Sequence, residues 1–209
     1  MKKGIIFDLD GVLLSTDHFH YLAWKKIADR EGIYFDEVIN NRLRGVSRMA
    51  SLEIVLERAE KTYTEAEKEA LAEAKNNYYR ELLATLTPDV LDPATVPFLE
   101  TLKAQKILLA IGSSSKNTRF ILEKTGLTDY FDAIADGTMI THSKPNPEVF
   151  LLAAHLLRLP AEDCYVVEDA FAGIDAAKAG GFTAIGIGEA AGYARTDHAI
   201  SRLDEILQL

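Results

Sequence analysis

Residues 4–12 read GIIFDLDGV, an apolar run that ends on two carboxylates separated by one leucine and then turns on glycine. In an extended chain successive side chains alternate, so Leu9 points one way while Asp8 and Asp10 face a common cleft, and Gly11 permits a sharp turn. Two acids placed this way can divide a phosphoryl transfer between them. One attacks phosphorus and becomes an aspartyl phosphate, and the other handles the proton of the alcohol. Further along, ILLAIGS closes on Ser113 and Ser114, Lys144 follows DAIAD in SKPNP, and CYVVED closes on Glu168 and Asp169. Hard oxygen donors of this kind suit Mg2+, which keeps several of its waters. The hydroxyls, the lysine and backbone N–H groups at a helix start suit a phosphate.

For these residues to meet, they must terminate neighbouring strands of one sheet. Short β-rich runs recur at 107–113, 132–136, 164–169 and 183–188, with helix-length segments at 116–126, 147–158 and 171–180 between and after them. That alternation predicts an α/β fold, a Rossmann-like parallel sheet with helices on both faces, joined by a first strand over 4–8. In such a sheet, ligands bind beyond the carboxyl ends of the strands, where the residues above fall. Residues 17–86 differ: they are rich in Glu, Lys, Ala and Leu at helical spacing, with no strand pattern. They read as an inserted helical cap. Thr64 with Glu67 forms a capping-box pattern, Gly32 and Gly45 stand where helices should stop, and PDVLDPATVP returns the chain to the core. The expected division is a core of 1–15 and 88–209 and a helical cap of 16–87.

Composition narrows the function. With 209 residues, 48% of them hydrophobic, the chain is long enough for a sizeable core, and its net charge of -9 disfavours nucleic acid or an anionic membrane surface as partner. No apolar stretch approaches the roughly 20 residues that a spanning helix needs. MKKGIIFDLDG has the lysines of a signal peptide, but Asp8 interrupts its apolar run, so a cytoplasmic protein is the expectation, and a monomer is expected as well. Cys164 is the one cysteine and reads as a small buried hydrophobe.

DLDGV, the SSS that closes a strand, SKPNP and VVEDAFAGIDAAKAGG, in that order, resemble the four motifs of the haloacid dehalogenase superfamily of phosphoryl-transfer enzymes. The resemblance implies Asp8 as nucleophile, Asp10 as general acid/base, and Ser113 and Lys144 as phosphate holders. It also implies Mg2+ on Asp8, the Asp10 backbone carbonyl, Glu168 and Asp169. STDHFHYLAWKKIADREGI places Thr16, His20 and Trp24 at i, i+4 intervals on one helix face. Together with RGVSR, AKNNYY and SSSKN, it is similar to a sugar-phosphate mutase subgroup that interconverts β-glucose 1-phosphate and glucose 6-phosphate, primed by β-glucose 1,6-bisphosphate. By that likeness Arg48 with Ser115, Lys116 and Asn117 holds a second phosphate. Thr16 and His20 join the catalytic set, His20 contacting Asp10 or orienting the sugar. Trp24, Arg44, Gly45, Val46, Ser47, Lys75, Asn76 and Ser114 join the substrate site. Arg44 and Ala94 depart from the subgroup's lysine and glycine, and Arg44 keeps the charge while changing its hydrogen-bond geometry.

Three functions are open to such a chain. A mutase and a sugar-phosphate phosphatase share Asp8 and Asp10 and differ in whether a sugar hydroxyl or water takes the phosphoryl group. A phosphate-binding scaffold on a decayed site would have lost Asp8, Asp10 or Lys144, and all three stand. The remaining histidines, His18, His142, His155 and His198, read as structural or exposed, Tyr78 and Tyr79 as cap packing, and the tail HAISRLDEILQL gives no diagnostic pattern.

Overall fold

The computed structural model describes residues 2–43 and 46–209. The chain divides into two compact units, one made of Met1–Ser15 with Leu86–Leu209 and the other of Thr16–Thr85.

The first unit is an α/β layer structure. Its strands are β1 (Gly4–Phe7), β2 (Leu108–Gly112), β3 (Ala133–Ala135), β4 (Cys164–Glu168), β5 (Thr183–Gly186) and β6 (His198–Ala199), paired in the order β3-β2-β1-β4-β5-β6. Every pairing is parallel. All four residues of β1 and all five of β4 are buried, because helices cover both faces and no polar face is left to alternate with an apolar one. The covering helices are α5 (Thr95–Ala104), α6 (Thr118–Thr125), α7 (Glu148–Leu157) and α8 (Phe171–Ala179). One core cluster joins Ile6, Val166 and Ala184 of the sheet to Val149, Phe150 and Ala153 of α7 and Ile174 and Ala177 of α8. Alanine on both sides of this layer lets the helices lie close to the strands. Cys164 is fully buried at the start of β4.

The tail holds an element that its sequence pattern did not signal. His198–Ala199 adds a parallel edge strand, held by backbone bonds from Asp197 to the Ala184 carbonyl and from Ile200 to the Gly186 carbonyl. Two residues are too few for any hydrophobic period to register.

The order of the strands creates the site. From β1 the chain runs outward through β2 and β3, then crosses back to place β4 on the other side of β1, so the connections diverge at β1 and β4. Register sharpens this, since Phe7 pairs with both Ile111 and Val167. The residue after Phe7 therefore lies level with the ends of β2 and β4.

The second unit contains α1 (Asp17–Arg30), α2 (Glu37–Asn41), α3 (Arg48–Leu56) and α4 (Glu65–Leu83), with no strand among the described residues. Its own core gathers Trp24, Ile27 and Ala28 from α1, Leu52 and Val55 from α3, Leu71 and Ala72 from α4, and Ile33 and Phe35 from the turn after α1. Gly32, at φ +71°, ends α1. The capping box at the start of α4 is complete: Glu67 N–H donates to Thr64 Oγ1 at 3.3 Å, and Thr64 N–H to Glu67 Oε2 at 2.7 Å. Thr64→Ala removes one half of the box, so urea unfolding should show a loss of about 1 kcal/mol. An unchanged midpoint would mean that the box contributes nothing.

Candidate active site

Asp8 follows β1 directly, and its N–H donates to the Val167 carbonyl at 2.9 Å, which extends the ladder and fixes the carboxyl at the sheet edge. It is buried, as are Lys144 and Glu168. Lys144 Nζ donates to Asp8 Oδ1 at 2.5 Å and also to Glu168 Oε1. One ammonium thus joins the residue after β1, the last residue of β4 and the loop before α7. The Ala170 N–H holds the other oxygen of Glu168 at 3.0 Å.

Two glycines make room for the acids. A Cβ on Gly173 would lie 1.9 Å from Glu168 Cδ, so the carboxyl rests directly on the backbone of α8. Gly11 has φ +86°, and a Cβ there would meet Asp169 Oδ2 at 2.0 Å. The turn at Gly11 is tight: its N–H donates to the Leu14 carbonyl at 2.7 Å. Leu9 is fully buried while Asp10 is partly exposed, so the side chains alternate as the DLD spacing predicts.

Electrostatics in this cluster follow from burial. Asp8 is pushed up to about 8, first by burial, with Glu168 and Asp169 adding to the rise and Lys144 opposing it. Asp169 rises to about 7, through burial and then through Glu168 and Asp10. Burial alone would lower Lys144, but its attraction to Asp8 and Glu168 prevails and holds it above its ordinary value. The acids outnumber the one lysine that pairs with them, so the cluster has a deficit of positive charge. A hard divalent cation would relieve that deficit. Among the described residues no three His, Cys, Asp or Glu side chains converge as they stand into a ready metal cage.

Beyond β2, the serine loop folds on itself. Ser113 is buried, its N–H reaches the Ala135 carbonyl at 3.1 Å, and its Oγ accepts from the Ser115 N–H at 3.3 Å. Ser115 Oγ accepts from the Asn117 N–H at 3.2 Å, which leads the chain into α6. Lys116 is exposed and Asn117 is buried. Ser114 Oγ is buried without a hydrogen-bond partner, a polar atom left over in a loop of donors.

The helical unit holds a second polar cluster. Thr16 precedes α1 but does not cap it, because its Oγ1 lies 2.7 Å from the Tyr79 hydroxyl of α4. His20, one turn further on, packs against the Tyr79 ring at 4.1 Å, and Lys75 Nζ reaches His20 Nδ1 at 2.8 Å. An ammonium has no lone pair, so Nδ1 accepts and the His20 proton resides on Nε2. Lys75 is buried, 5.0 Å from the Trp24 ring centroid, and Trp24 belongs to the unit's core. Arg48 opens α3 and donates to Asn76 Oδ1 at 2.8 Å. Ser47 caps α3 through the Ala50 N–H, and Val46 is exposed. Arg44 and Gly45 lie outside the described residues.

Tyr79 was legible only as packing. Its spacing of four from Lys75 places both on one face of α4, as Thr16, His20 and Trp24 share a line on α1, and the two series meet. Burial, followed by the charges of Lys75 and Arg48, holds His20 well below its ordinary value of 6.5. NMR should therefore show that the His20 ring, identified by its loss in His20→Asn, does not titrate between about pH 6 and pH 8. A midpoint near 6.5 would contradict this arrangement.

A parallel sheet with acids, a lysine and a serine loop at its carboxyl edge brings together the groups that phosphoryl transfer calls for. The chain belongs to the haloacid dehalogenase-like hydrolase family, whose model matches residues 2–181. It is 44% identical over 189 residues to a β-phosphoglucomutase of Bacillus subtilis (strain 168), an alignment that spans 90% of this chain and 84% of that protein. It is 31% identical over 186 residues to a phosphorylated carbohydrates phosphatase of Thermotoga maritima, spanning 88% and 83%. The crystal structure of a β-phosphoglucomutase from Clostridium difficile superposes with a TM-score of 0.91 at 36% identity, covering 100% of this chain and 96% of that one.

Proposed function

We propose that the protein is a Mg2+-dependent β-phosphoglucomutase that interconverts β-D-glucose 1-phosphate and glucose 6-phosphate. The observation that carries this is the polar cluster inside Thr16–Thr85, where Thr16 meets Tyr79, Lys75 meets His20 and Arg48 meets Asn76; in this reading the cluster recognises sugar and phosphate in addition to the transfer site of the core. A mutase must recognise a molecule that carries phosphate at both ends, and that requires more than one anionic grip. The likeness to mutases of two organisms supports the same reading.

In this reading the Asp8 carboxylate attacks phosphorus, the P–O bond to the sugar breaks, and Asp10 gives its proton to the departing oxygen. In the reverse sense Asp10 takes the proton of the other sugar hydroxyl as that oxygen attacks the aspartyl phosphate. β-Glucose 1,6-bisphosphate is both intermediate and primer. Lys144, Ser113, Ser114 and the backbone N–H groups of the serine loop hold the oxygens of the transferring group. Arg48 grips the phosphate that does not react, and Lys75, Asn76 and the Nε2 proton of His20 contact sugar oxygens. Trp24 acts through Lys75, which lies over its ring. Asp8, the Asp10 carbonyl, Glu168 and Asp169 would hold Mg2+, which supplies positive charge that favours the ionised nucleophile and offsets charge on the phosphoryl oxygens. A monomer in the cytoplasm remains the expected setting.

A phosphatase acting on sugar phosphates is the alternative, favoured by the likeness to the Thermotoga protein. One assay separates them. With β-glucose 1-phosphate, Mg2+ and a trace of bisphosphate, glucose 6-phosphate should accumulate with little free phosphate and little action on the α anomer. Arg48→Ala should reduce isomerisation by about 100-fold, yet spare hydrolysis of acetyl phosphate, which has no second phosphate to grip. Stoichiometric phosphate release with no isomer formed would establish the phosphatase instead.

A further inference from the structure

The lysine at the centre of the core site is carried on an exposed loop, and something must hold it. Thr141 and His142, which lead into Lys144, are both exposed, whereas Lys144 itself is buried. The restraint comes from Glu148, the first residue of α7. Its Oε1 accepts from the Thr141 N–H at 2.8 Å, and its Oε2 accepts from the His142 N–H at 2.7 Å. The His142 ring adds a contact from Nδ1 to Oε2 at 3.1 Å. On the far side of Lys144, the Asn146 N–H donates to the Ser143 carbonyl at 3.1 Å, and Asn146 Oδ1 accepts from the N–H of Glu148 at 3.0 Å. The segment that carries Lys144 is thus tied at both ends to one residue. The two backbone donors also hold the Glu148 carboxyl below its ordinary range.

The same helix supplies the floor. Phe150, two residues after Glu148 and fully buried, lies under Lys144, with Nζ 4.6 Å from its ring centroid. Helix α7 therefore fixes the backbone through Glu148 and the side chain through Phe150. Beside these, the 141–146 loop is held by the bonds from Lys144 itself to Asp8 and Glu168, and its remaining residues are mostly exposed.

We infer that Glu148 is a positioning residue for Lys144: its carboxylate straps the Thr141 and His142 N–H groups to α7 and so aims the Lys144 ammonium at Asp8 and Glu168. Glu148 touches no reacting atom. A carboxylate suits this task because it offers two oxygens to two parallel donors, which no neutral side chain of that length can do.

The test reads the exposure of Lys144 directly. The protein is treated with cyanate in the presence of EDTA, and carbamylation is mapped by mass spectrometry, with the exposed Lys106 as internal reference. In the parent, Lys144 should stay unmodified while Lys106 reacts. In Glu148→Ala, Lys144 should react roughly 10-fold faster, as expected where a local opening has lost its tethering hydrogen bonds. Glu148→Gln, which keeps one good acceptor, should fall between the two and serves as the deciding variant if the alanine form does not fold. Glu100→Ala, an exposed change on α5, should leave Lys144 protected. Protection of Lys144 equal to the parent in both Glu148 variants would overturn the inference.

The functional part rests on the reading of Lys144 as a phosphate holder, and it fails separately. Turnover should fall about 10-fold or more in the order parent, glutamine, alanine, because a misplaced group loses most of its effect within about 1 Å. Lys144 exposed with turnover intact would uphold the strap and remove Lys144 from the phosphate site.

Discussion

A buried ammonium between two buried carboxylates is the interaction on which the core unit depends. Lys144 brings the loop after β3 to Asp8 at the end of β1 and Glu168 at the end of β4. None of these groups tolerates burial alone. Removing one member of such a cluster leaves an uncompensated charge, which typically costs about 3–5 kcal/mol. The contact therefore joins three chain segments far apart in sequence and makes their proximity obligatory. The same contact leaves the acids in excess, a deficit of positive charge that a divalent cation would relieve.

The remaining features of the core serve that contact. Parallel register places Asp8 level with the ends of β2 and β4. Gly11 and Gly173 bring backbone close enough for Asp169 and Glu168 to lie against it. The helical unit is organised on a different principle: its polar residues line facing helices above a core of their own, and His20 is kept neutral first by burial and then by the cations beside it.

Much of this was legible in the sequence because it follows from short-range rules. The acids that close β1 and β4, the serines after β2 and the capping box at Thr64 each announce themselves by residue type next to an apolar or helical pattern. Three features were hidden for physical reasons. The strand His198–Ala199 is too short to carry a period. Tyr79 resembles any aromatic on a helix until the hydroxyl of Thr16 is placed opposite it. Glu148 follows a proline at a helix start, where an acid is expected for the helix dipole alone, and its bonds to Thr141 and His142 emerge only once the loop is folded. In each case the signal lies in a partner distant in sequence or in a segment too short to show a pattern.

The most direct test of this account is a double-mutant cycle on the buried ion cluster, measured by urea unfolding in EDTA with Lys144→Met, Glu168→Gln and the pair. If Lys144 holds the acids together, Lys144→Met should destabilise the protein by about 3 kcal/mol. The pair should then cost less than the sum of the single changes by roughly 1 kcal/mol or more, because each change removes the partner that the other leaves behind. Single effects that add to within about 0.5 kcal/mol would show that the two residues do not share an interaction and would contradict the account.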